Sequence, residues 1–120
     1  TCPLSDIRVN TISAANGTGP VTLTKQEAAK HWCYFVGTGT ISINDSFNTA
    51  SLTDHGTGGY SCNFTNNMGN ANFAILATCN LGELAENGHD VGSCRIATFD
   101  SSGSSTDAGR NNTMVLGDLA

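Results

Sequence analysis

The chain has 120 residues, of which 12% are charged, and a net charge of −5. That length suits one domain, and the charged share is about half the usual one, with Asn, Gly, Ser and Thr making up the difference. The cations Arg8, Lys25, Lys30, Arg95 and Arg110 are dispersed, which excludes a basic stripe for nucleic acid; the longest apolar run, Phe73 to Ala77, is far too short to span a bilayer.

In chain order, Leu4 to Ser13 reads as a first strand, with Ile7, Val9 and Thr11 on one face. The stretch AANGTGP is a turn, and Val21 to Leu23 a brief extended piece. Thr24 followed by Glu27 is a capping-box signature. It predicts a helix over about 24–33, in which Ala28, Ala29, Trp32 and Cys33 share an apolar face. Tyr34 to Val36 and Thr38 to Ile43 read as strand, Asn44 to Gly59 as turn-rich chain. Tyr60 to Phe64 and Phe73 to Cys79 read as the two arms of a hairpin. NLGELAENG reads as a short helix capped by Asn80, SCRIATF as a strand, and TMVLGDL as a last strand after a Ser/Gly-rich connection.

The sum is an α+β fold: a single domain over 1–120, mostly antiparallel sheet, with the 24–33 helix packed on it and disulfides as staples. An all-β sandwich or barrel is the alternative. The expected core is Ile7, Val9, Trp32, Phe35, Ile41, Ile43, Phe64, Phe73, Ile75, Ala77, Ile96 and Phe99.

Cys2, Cys33, Cys62, Cys79 and Cys94 lie far apart without a C-x-x-C spacing, so a zinc ribbon or thioredoxin motif is absent. Four of them could pair, which leaves an odd cysteine for a covalent homodimer or a free thiol. Asn16, Asn44, Asn63 and Asn111 occupy N-x-S/T sequons. The sequons, the cysteines and a first residue of Thr point to a secreted, oxidised protein.

His31 beside Cys33 invites a thiol-nucleophile reading. On a helix, however, near neighbours in sequence point apart, so Cys33 is expected to be a core staple with His31 at the rim. His31, His55 and His89 show no ligand spacing, and neither a metal nor a cofactor is expected. A ribonuclease-like hydrolase would need a base, an acid and a cation. His31, His55, His89, Glu27 and Arg95 supply those types, but a chain of this size commonly contains such a set. The loop TDHGTGGY, with Asp54, His55 and Tyr60, is the candidate for a binding site that uses an aromatic face and polar loop groups.

The size, the dispersed cysteines, the low charge and the Asn/Gly/Thr-rich strands together resemble the small secreted cysteine-containing proteins of filamentous fungi, many of them effectors or elicitors. The resemblance spans the chain but rests on no specific motif, and the odd cysteine count departs from it. It implies a non-catalytic protein that binds a protein or glycan of a host cell. A small hydrolase and a structural subunit of a surface assembly are the alternatives.

Overall fold

A computed structural model of the chain describes Ala15 and residues 28–120. Eight strands follow in order: β1 (His31–Val36), β2 (Ser42–Phe47), β3 (Thr49–Asp54), β4 (Gly59–Phe64), β5 (Ala74–Cys79), β6 (Glu83–Asp90), β7 (Ser93–Phe99) and β8 (Asn111–Leu116). They form two four-stranded antiparallel sheets, one ordered β2-β1-β8-β5 and the other β3-β4-β7-β6. The buried side chains of both sheets meet between them, so the architecture is a β-sandwich.

The structure overturns the α+β expectation: among the described residues there is no helix. Residues 31–33 of the expected helix are the start of β1, residues 28–30 are irregular, and 24–27 lie outside the described residues. The reason is the period of the side chains. A helix would put Trp32 and Cys33 on one face, whereas a pleated strand sends them to opposite faces. The sequence HWCYFV alternates with period two and consists largely of residues that favour strands. Cys33 is 1% exposed and Trp32 is 39% exposed, so the core expected at Trp32 lies one residue to either side, at His31 and Cys33. The expected short helix at NLGELAENG is likewise strand, since Glu83 to Asp90 form β6.

The expected hairpin is also absent. Tyr60 to Phe64 pairs with β3 and β7, whereas Phe73 itself precedes β5, which pairs with β8 in the other sheet. No disulfide staples the described fold. Cys33, Cys62, Cys79 and Cys94 are free thiols, and Cys2 lies outside the described residues, as do Ile7 and Val9. Cohesion comes instead from ring packing and burial. Phe35 and Tyr60 meet edge-on with centroids 5.4 Å apart, and Phe64 meets Phe73 at 6.0 Å. Ile96, Val115 and Met68 fill the spaces around them.

Two backbone details fix how the sheets dock. A single residue, Asn48, links β2 in one sheet to β3 in the other, at a φ of 54°. Asn tolerates that left-handed conformation better than most residues. Its side chain locks the corner by donating to the carbonyls of Lys30 (2.9 Å) and Asn66 (3.1 Å) and accepting from the Asn66 amide (2.7 Å). At the opposite end, the Tyr60 hydroxyl bonds the Gly37 carbonyl at 3.0 Å and the Asp107 carboxylate at 2.9 Å. A Cβ on Gly37 would stand 2.5 Å from that hydroxyl, so only glycine lets the chain pass there.

Candidate functional site

The residues singled out in the sequence fall into four environments. His31 is fully buried between the sheets. His55 sits in the β3–β4 turn, its Nε2 2.8 Å from the Ser61 hydroxyl. His89, on β6, pairs through Nδ1 with Glu86 at 3.0 Å and lies 4.9 Å from the Phe73 ring. Glu27 and Asn16 lie outside the described residues. His55, His89 and Arg95 line one shallow depression together with Ser61, Asp90 and Ser93, while His31 remains apart in the core.

The candidate loop separates in the same way. The Asp54 carboxylate accepts from the Gly56 amide at 2.8 Å and so holds the turn. Tyr60 is fully buried, and burial, followed by the nearby Asp107 carboxylate, pushes its phenol up to about 12. Its ring therefore belongs to the core and offers no surface platform. Of the sequons, Asn44 is exposed on β2, Asn63 donates to the hydroxyls of Ser51 and Thr53 (3.0 and 2.9 Å), and Asn111 is fully buried.

The two sheets present different outer surfaces. On the second sheet several outward polar residues bond one another, although the Arg95 Nε is buried without a partner. Asn63 ties to Ser51 and Thr53, Ser61 ties to His55, and Arg95 stands opposite Ser61. On the first sheet the cross-strand register aligns Phe47 with Trp32, Trp32 with Met114, and Met114 with Leu76. One apolar row thus crosses the whole sheet from edge to edge. Phe47 is 52%, Leu76 47% and Trp32 39% exposed. Three inter-strand steps of about 4.8 Å make the row about 14 Å long. The adjacent row is Asp45, Tyr34, Asn112 and Thr78, in which the Asn112 amide donates to the Thr78 hydroxyl at 3.1 Å. Scattered exposed apolar residues are ordinary, but four in register form a contiguous patch of the kind that marks an interaction surface.

A second constellation lies beneath this row, inside the sandwich. His31 and Cys33 come from β1, Cys62 from β4 and Cys94 from β7, and all are at most 1% exposed. One ligand atom each from His31, Cys62 and Cys94 falls within 4.8 Å of the others. His31 is held at both nitrogens, with Nδ1 3.0 Å from the Thr49 hydroxyl and Nε2 2.9 Å from that of Thr113. The Thr113 hydroxyl also reaches Cys62 Sγ at 3.5 Å. Burial drives the His31 imidazole down to about 4, so the ring is neutral near pH 7. The Cys33 thiol is pushed far up by its hydrogen bond with Cys62 and by burial. For Cys62 the contact with Cys33 lowers the value, but Cys94 and burial raise it to about 12. These thiols are protonated and, without a metal, inert as nucleophiles.

Sequence reasoning missed the outer row because its members lie in four separate strands, and only the register brings them together. It missed the thiol cluster for the same reason. The alternation of HWCYFV was the one local signal that could have placed His31 and Cys33 side by side. Comparison with known proteins finds no family model, no curated protein and no solved structure that matches the chain.

Proposed function

We propose that the chain is a non-catalytic recognition module that binds a partner protein through the outer face of its first sheet. The observation that carries this reading is the in-register row Phe47, Trp32, Met114 and Leu76. Trp, Phe and Met are enriched at protein interfaces, and binding energy concentrates on such large anchors. Action outside the cell, on a partner displayed by another cell, is part of the proposal. The exposed Asn44 sequon is compatible with it.

A second reading, that this face joins copies of the chain into a surface assembly, rests on the same row, because two flat sheet faces pack well at about 10 Å. The double variant Trp32→Ser/Phe47→Ser tests both. The expected result is loss of a partner captured from candidate target surfaces, with an unchanged fold by circular dichroism. Sedimentation that grows with concentration in the native chain, and not in the variant, would favour the assembly. Cleavage of RNA that His55→Ala abolishes would overturn the non-catalytic reading. Partner capture undiminished in the double variant would overturn the placement of the site. No helix among the described residues is long and apolar enough to cross a membrane.

A further inference from the structure

We infer that His31, Cys33, Cys62 and Cys94 form a closed binding site for one Zn2+ ion at the centre of the sandwich. The donors come from both sheets, β1 on one side and β4 and β7 on the other, so the ion would clamp the sheets together. Zinc favours four donors in a tetrahedron, with Zn–S bonds of about 2.3 Å and Zn–N bonds of about 2.0 Å. Those lengths set donors roughly 3.5–3.8 Å apart. The His31, Cys62 and Cys94 ligand atoms already lie within 4.8 Å of one another, so three of the four donors are gathered. The Cys33 thiol lies outside that group of three but interacts with Cys62, and it becomes the fourth donor when its side chain turns toward the ion.

The surroundings fit an ion of this kind. Soft sulfur and imidazole donors with no carboxylate among them suit zinc and disfavour Ca2+ or Mg2+. Complete burial leaves no open position for water, which makes the site structural rather than catalytic. Thr49 can hold the Nδ1–H of His31 and leave the Nε2 lone pair for the metal, a common outer-shell arrangement. Thr113, now sharing its hydroxyl between Nε2 and Cys62 Sγ, is then free to donate to the sulfur. On binding, three S–H bonds break and three S–Zn bonds form, three protons pass to solvent, and neutral His31 donates its lone pair. The complex carries one negative charge, which the threonine hydroxyls at Cys62 and Cys33 help to disperse.

The test uses the reduced chain, freed of metal by a chelator and titrated with zinc against a chromophoric competitor. The expected result is one zinc per chain, release of about three protons and a raised melting temperature, because binding only the folded state stabilises it. Co2+ in place of zinc should give thiolate charge-transfer absorption and the intense visible bands of a tetrahedral site. Cys62→Ser and Cys94→Ser should abolish binding, and Cys33→Ser should weaken it at least tenfold. Cys79→Ser should leave it unchanged, since Cys79 bonds the Glu83 carbonyl outside the cluster. If the serine variants fail to fold, stoichiometry, proton count and cobalt spectrum decide on the native chain alone. Absence of stoichiometric zinc, a pale octahedral cobalt spectrum, undiminished binding in Cys62→Ser, or uptake of Cu+ in place of zinc would each overturn the assignment.

Discussion

The inner face of the first sheet buries polar residues beside its apolar ones, while the outer face exposes an apolar row beside a polar one. On the inner face of β1 and β8, His31, Cys33, Thr113 and Asn111 are buried alongside the apolar Phe35 and Val115. The outer face carries Phe47, Trp32, Met114 and Leu76, three of them well exposed. His31 has partners at both nitrogens, and the Asn111 amide N–H donates to the Ala108 carbonyl at 2.9 Å, while the Asn111 Oδ1 is buried without a partner. Those bonds offset the cost of burying these groups. The outer apolar groups gain nothing comparable from the chain itself. The exposed apolar row on that face is the feature on which the proposed docking rests.

The contrast can be broken most forcefully at Phe35, a fully buried inner residue of the strand that carries Trp32. Phe35→Ala should destabilise the fold by about 3–5 kcal/mol through lost burial and a cavity, read as a drop in the urea midpoint. Next comes the acid response of the inner face. His31 stands at about 4 in the folded chain against an ordinary 6.5. The unfolded chain therefore takes up a proton between those values that the folded chain refuses. Stability should be fully present above pH 6.5, fall as the pH drops and level off below about 4, a loss on the order of 3 kcal/mol. Urea titrations across that range in chelator should show the slope, and His31→Gln should remove it. The smallest effect belongs to the outer face. Trp32→Ala should shift stability by less than about 1 kcal/mol. A loss as large as that of Phe35→Ala would mean that Trp32 is core after all.

How much of this was legible in the sequence depended on whether the signal was local. The strands at Tyr60 to Phe64 and Ser93 to Phe99 were readable because each is a short β-prone run beside turn residues. Most of β2 and all of β3 were not, because SINDSF and TASLTD are edge strands whose residues are mostly exposed and polar, and from Asn44 onward they read as turn-rich chain. At HWCYFV a capping box and two alanines spoke for a helix while the alternation spoke for a strand, and tertiary pairing with β2 and β8 decided the outcome. The His–Cys cluster needed knowledge of which strands face one another across the sandwich, information that no short window contains.

The order of strands has a consequence for how the chain is assembled. The second sheet draws all its strands from residues between Thr49 and Phe99, a stretch interrupted only by β5 of the first sheet. The first sheet cannot close until β8, the last strand, slides between β1 and β5, joining His31 to Val115 across the length of the described chain. Such distant pairing is slow, because a long loop must be closed before the contacts that reward it can form. During synthesis the second sheet can therefore form first, and β1 and β5 wait with unpaired edges until residues 111–116 emerge. Truncation just before Asn111 should leave a chain that retains part of its strand content yet associates through those open edges.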